Sequence, residues 1–224
     1  MSATVREVTS PSEAELDGYV KLLAEAFHYR FFAGGLGGDE SLQEPMMHAH
    51  IAAALVNGEG EVHVAELPQV GPVGAAVWFG PGHKFLDTDA QRNAGWNQLM
   101  ERLPTQYREW WTTFLKQYDE LVDKTVGANV KLSGYHLQLI GVHPDHQKKG
   151  VGSTLMKYAE SKAHAARVPT LLETVGSMNV QIYKSLGYEV AGSGPISVPP
   201  PSPPDATFEM FTFIKHTEAE DFKN

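Results

Sequence analysis

The chain has 224 residues, 42% of them hydrophobic and 20% charged, and no cysteine. This length suits one domain with room for a large insertion, and it buries enough surface to fold without a disulfide or metal staple. The missing cysteine excludes thiolate nucleophiles, iron–sulfur clusters and thiolate zinc sites. With 18 Lys and Arg against 27 Asp and Glu, the net charge is −9. That balance argues against a nucleic-acid partner or an anionic membrane surface, both of which need clustered cations. No apolar run reaches the ~18 residues of a spanning helix. Met1–Glu7 lacks the apolar stretch of a signal peptide, so a cytoplasmic protein is expected.

In chain order, Val5 to Thr9 reads as a short strand. Ser10 or Ser12 caps a helix carrying Leu16, Tyr19, Val20, Leu23 and Phe27 at helical spacing. The aromatic cluster from Phe27 to Phe32 leads into Gly34–Gly38, a connection or a lid hinge. A second helix is expected over Leu42 to Val56. Strands follow over Glu61 to Leu67 and Val73 to Phe79. Residues 87–126 read as two inserted amphipathic helices. Trp96, Leu99, Met100 and Leu103 mark the first, and Tyr107, Trp110, Trp111, Phe114, Tyr118, Leu121 and Val122 the second, with Pro104 between them. After Gly127 come a strand at Tyr135–Val142, a helix at Gly150–Arg167, a strand at Thr170–Val175 and a short helix at Val180–Leu186. Gly187 stands at the C′ position of that helix. Strands at Tyr188–Ala191 and Thr207–Ile214 close the chain, separated by a proline-rich excursion at residues 195–204. The order indicates a mixed α/β sheet.

The segment from Leu139 to Leu155 carries the chemistry. An apolar strand ends in Val142-His143-Pro144, a turn follows, and Gln147-Lys148-Lys149-Gly150-Val151-Gly152 opens a helix. Glycines at 150 and 152 let backbone N–H groups approach an anion, and the helix N-terminus adds partial positive charge. A diphosphate fits this cradle. The phosphate-loop and dinucleotide glycine patterns are not matched. His48-x-His50 and His143-x-x-His146 lack a companion carboxylate pattern, so no metal site is expected.

The pattern [Gln/Arg]-x-x-Gly-x-[Gly/Ala], placed between strand and helix, resembles the acetyl-CoA signature of the GNAT superfamily of N-acetyltransferases. A second block, Leu172-Glu173-Thr174 followed by Asn179 to Tyr188, resembles the second signature of that family. Asn179 stands four residues before Tyr183, a spacing similar to the puromycin N-acetyltransferase-like small-molecule group. The resemblance implies an α/β GNAT fold: a mixed, mostly antiparallel twisted sheet of about seven strands, as sheets of this kind run. Helices would cover both faces, and residues 87–126 would be a helical insertion before the central coenzyme-binding strand, within one domain spanning 1–224. It implies that backbone groups of Ile140, Gly141 and Val142 hold the pantetheine arm. The loop residues Gln147, Lys148, Lys149, Gly150, Val151, Gly152, Ser153 and Thr154 would hold the pyrophosphate, with Asn179 as a further coenzyme contact.

For catalysis, the resemblance places the general acid at Tyr183, whose phenol is protonated at neutral pH. The base is expected at Glu173, near the end of its strand, or at His136. The reading that places His136 here has it alternate with Gln138 and Ile140 on one face of the central strand. Direct transfer from acetyl-CoA, with no metal and no acyl-enzyme, suits a chain without cysteine. The acceptor is expected to be a small hydrophobic or aromatic amine met by Phe31, Trp110 and Trp111, although helical spacing of such residues also fits plain packing. Acetylation of a protein or peptide amine, O-acetylation, and a catalytically silent acyl-CoA-binding module stand as alternatives. A monomer and a homodimer are both compatible with the sequence.

Overall fold

A computed structural model describes residues 3–217, so the ends of the expected 1–224 domain lie outside it. The elements are β1 (Thr4–Val8), α1 (Glu13–Ala26), α2 (Gln43–Leu55), β2 (Glu61–Leu67), β3 (Gly71–Phe79), α3 (Asp89–Gln91), α4 (Asn97–Glu101), α5 (Thr105–Val126), α6 (Val130–Ser133), β4 (Tyr135–Val142), α7 (Val151–Ala166), β5 (Thr170–Thr174), α8 (Ser177–Ser185), β6 (Glu189–Ser197) and β7 (Thr207–Lys215). Ser12 makes the cap of α1 as a reciprocal box. Its hydroxyl accepts from the Glu15 N–H, and the Glu15 carboxylate accepts from the Ser12 N–H.

The strands form one seven-stranded sheet in the order β1-β2-β3-β4-β5-β7-β6. Only β4 and β5 run parallel, because α7 carries the chain back between them; the other neighbouring pairs are antiparallel. The architecture is the α/β GNAT fold. The sheet separates two apolar cores. On one face α1, α2 and α5 pack Leu23, Met46, Ile51, Trp111 and Phe114 against Val62, Val77 and Leu139. On the other, Leu155, Met156 and Ala159 of α7 pack against Trp78, Leu137 and Phe213.

The insertion differs from two plain helices. Its first half is broken at Gly95, which has a positive φ and backs onto α2; an added Cβ there would lie 3.1 Å from the Ala49 Cα. Its second half is one continuous helix, α5, which begins directly after Pro104. The proline run starts inside β6, whose pairing with β7 continues through Pro195 to Ser197.

Candidate active site

The central strand parts from its neighbour. β4 pairs with β5 only over Tyr135–Leu137 and Thr170–Leu172. Its other edge stays bonded to β3 as far as Val142. Residues 138–142 therefore face an opening on the β5 side. The parting coincides with a bulge: Trp78 pairs with Leu137 but Val77 with Leu139, so Gln138 is the extra residue. The bulge also changes which face each residue takes. Tyr135 and Leu137 pack toward α7, while Leu139 packs toward α1 and α2 and Ile140 toward α7. His136 and Ile140 therefore lie on opposite faces, which corrects the expected alternation on one face. The His143 N–H is bonded to the Val73 carbonyl. By strand alternation the backbone groups of Ile140 and Val142 point into the opening, while those of Gly141 turn to β3. This corrects the expectation for Gly141. Its lack of a side chain serves packing instead, since a Cβ there would lie 2.8 Å from Leu23 and 2.9 Å from Ala26 of α1.

The opening leads to the start of α7. Lys148 and Gly150 both take positive φ, which lifts the loop over the helix end, and no side chain caps the first turn. A Cβ at Gly150 would meet nothing within 4 Å, and one at Gly152 only Val142 at 3.8 Å. The amide donors of this 16-residue helix therefore stand clear on their outer side. The Gln147 amide bridges back to the Val142 carbonyl, and Lys149 is held on the Asp145 carbonyl at 2.7 Å. Val151 is buried under the helix, while Ser153 and Thr154 are half-buried in its first turn, where the Thr154 hydroxyl donates to the Gly150 carbonyl. These residues fit a diphosphate reached along the strand opening. Asn179, exposed at the start of α8, donates to the Val175 carbonyl.

Beneath the opening, on the α5 face, three polar groups meet. The Tyr118 hydroxyl donates to Glu173 Oε2, which also lies 2.7 Å from His136 Nε2, and the hydroxyl is 3.0 Å from that same nitrogen. The His136 side chain has no exposed area and that of Glu173 only 6%, while Tyr118 is half-buried. The Lys131 ammonium sits 3.9 Å from the Tyr118 ring centroid and 3.4 Å from Asp119 Oδ1, which links it to Lys84. Burial lowers the His136 pKa and keeps the ring neutral. Burial pushes Glu173 up, but His136, Lys131 and Tyr118 outweigh it and hold the carboxyl below its usual range. Burial also raises Tyr118 well above a free phenol, so it remains a donor.

Tyr183 lies on α8 with its ring against Tyr188 and Phe213. Burial, together with the Glu173 charge, pushes its phenol up to about 12. Among the described residues its hydroxyl has no hydrogen-bond partner. The α1–α2 connection begins at Phe27 beside β4, and His28, Tyr29 and Phe32 within it take positive φ, a strained conformation for such side chains. Phe31, half-buried in that connection, packs on Phe27, Phe32 and His50 of α2.

Residues 98–190 match the acetyltransferase (GNAT) domain family. That match covers the second half of the insertion, the central strand and the elements up to the start of β6. Solved structures of the same fold include a histone acetyltransferase HPA2 and related acetyltransferase from Corynebacterium glutamicum, at 19% identity and TM-score 0.57, with 95% of this chain and 96% of that chain covered. The Drosophila melanogaster polyamine N-acetyltransferase is 15% identical with a TM-score of 0.57, over 96% and 99% of the two chains. A mosquito arylalkylamine N-acetyltransferase like 5b is 14% identical with a TM-score of 0.58, over 95% and 100%.

The tryptophans of α5 do not line an open pocket, which corrects the expectation for Trp110 and Trp111. They are 6% and 4% exposed inside the core. Each indole N–H donates to a backbone carbonyl, Trp110 to Ser197 at the end of β6 and Trp111 to Gly35 in the α1–α2 connection. A Cβ at Gly35 would lie 2.5 Å from Trp110, and one at Gly34 would lie 2.7 Å from Pro199. The glycine connection is thus a packed seam, and α5 fastens it to the proline loop. Among the described residues, one grouping has the makings of a metal site: Glu7, Glu61 and His63. The Lys162 ammonium takes the cation's place there, 2.6 Å from Glu7 and 2.7 Å from Glu61. Sequence reasoning missed Tyr118 as a partner of Glu173, and it missed Lys131 altogether. A lysine on a four-residue helix carries no sign of burial. The aromatic spacing of α5 hides that one of its rings bears a functional hydroxyl.

Proposed function

We propose that this chain is an acetyl-CoA-dependent N-acetyltransferase of one domain that acetylates the amine of a small molecule, hydrophobic or aromatic in character. The observation that carries the reading is the strand opening at Ile140 and Val142, which runs straight to an uncapped, glycine-entered helix end. Acetyl-CoA supplies the reactive thioester. The loop from Gln147 to Thr154 holds its diphosphate through backbone donors, with Lys148 and Lys149 adding charge and Asn179 a further contact. The backbone groups of Ile140 and the N–H of Val142, whose carbonyl takes the Gln147 amide, bind the extended arm as an added strand would. His136, backed by Glu173, receives the proton of the attacking amine. Tyr183 gives a proton to the departing sulfur. The aromatic α1–α2 connection with Phe31 borders the acceptor side. Neighbours of this fold named for polyamine and arylalkylamine acetylation support a small amine.

The test is release of free coenzyme A from acetyl-CoA with a panel of aromatic, aliphatic and polyamine acceptors, beside peptides and alcohols. Amine-dependent release with aromatic or apolar amines supports the reading. Release only with peptides or alcohols, or binding of acetyl-CoA with no release, would replace it by one of the alternatives.

A further inference from the structure

The junction of Tyr118, His136 and Glu173 settles which proton each group carries. Glu173 Oε2 is a carboxylate oxygen and can only accept. It receives the Tyr118 hydroxyl and stands 2.7 Å from His136 Nε2. Were Nε2 bare, two lone pairs would face each other at that distance in a buried site. Nε2 therefore bears the hydrogen, and in the neutral ring Nδ1 is the bare lone pair. Nδ1 is buried and has no donor among the described residues. A buried acceptor without a donor costs free energy, and the cost is recovered when a proton donor arrives.

Resting on the function proposed above, we infer that Tyr118 and Lys131 are positioning residues for proton removal. They hold the Glu173 carboxylate so that it fixes the Nε2–H form of His136 and leaves Nδ1 to accept the proton of the amine. The roles divide by geometry. Tyr118 occupies the second hydrogen-bonding direction of Oε2, which leaves His136 one orientation. Lys131, 3.9 Å from the Tyr118 ring centroid, balances the buried carboxylate by its charge. The charged and titratable groups facing the pair are Tyr118 and Asp119 from α5, Lys131 from α6, Lys84 from the segment after β3, and Tyr183 from α8. Glu173 is then not itself the base; it orients and biases the ring. The helical insertion thus contributes to chemistry as well as to packing.

The test reads His136 directly by 15N NMR of the full-length protein. In the parent, Nδ1 is expected as the unprotonated nitrogen and Nε2 as the protonated one; the reverse assignment overturns the inference. Three variants give opposed shifts. Lys131→Met removes a cation that opposes protonation of His136. Tyr118→Phe frees the carboxylate to hold the imidazolium more strongly. Both are expected to move the His136 titration, and the acid limb of kcat, upward by about one pH unit, with kcat down by up to about tenfold on that limb, less so at neutral pH, and amine KM little changed. Glu173→Gln removes the anion and is expected to move the titration downward and mix the two tautomers. Superimposable titrations in the three variants overturn the inference and leave the cluster a packing device. If one variant fails to fold, the other two still carry opposed or matching signs against the parent. A parent that releases no coenzyme A with any amine defeats the proposed function alone, since the NMR assignment stands independently of turnover.

Discussion

Tyr183 is a phenol without a hydrogen-bond partner among the described residues, and burial together with the Glu173 charge keeps it protonated. Such a group can donate to a sulfur anion throughout the neutral range. Tyr183→Phe is expected to lower kcat by roughly ten- to a hundredfold while coenzyme affinity stays within error. Rapid-mixing turnover alongside coenzyme titration checks it, and an unchanged kcat would assign the ring to packing on Phe213. At this same scale the sequence was partly legible. Tyr183, Glu173 and His136 stood out because residue type and motif position mark them. Their division of labour did not, because it depends on which atom of His136 faces Glu173 and on a hydroxyl from a helix 18 residues upstream of that histidine.

α5 shows how an element can read correctly and be assigned wrongly. Its apolar period is plain in sequence, and the helix forms. Periodicity cannot say what the apolar face meets, and here it meets the core and the carbonyls of Ser197 and Gly35. Trp111→Phe keeps most of the ring volume but orphans the Gly35 carbonyl, and a loss of about 1–3 kcal/mol is expected. Trp111→Ala also opens a cavity, and a loss of about 3–5 kcal/mol is expected. Denaturant unfolding of both variants measures the difference. β4 offers the converse case. Its limits, Tyr135 to Val142, were legible to the residue, yet the bulge at Gln138 was not. A bulge depends on the register against β3, and register is a property of two strands.

Across the whole molecule, the negative charge is spread widely, and the cations that matter are locally placed. Lys162 bridges Glu7 and Glu61, tying α7 to β1 and β2 beneath the sheet. Burial pushes Glu61 up, but the hydrogen bonds of His63 and Lys162 prevail and bring it from its ordinary 4.5 down to about 2. A carboxyl depressed in the folded state stabilises the fold above its unfolded value, and that contribution fades as pH falls through the folded one. Glu61→Gln is therefore expected to cost on the order of 2 kcal/mol at neutral pH, with the gap to the parent narrowing between pH 4.5 and about 2. Chemical unfolding across that range measures it. The sequence by itself determined the order of strands and helices, the anion-binding turn before α7 and the family likeness. Those follow from local periodicity, caps and a contiguous motif. Only the tertiary structure decided that β4 and β5 part after Leu137, that Ile140 and Val142 rather than Gly141 face the opening, and that Lys131 and Tyr118 stand behind the Glu173–His136 pair. Each of these depends on residues far apart in the chain, brought together by sheet register and helix packing, and no local pattern encodes such a meeting.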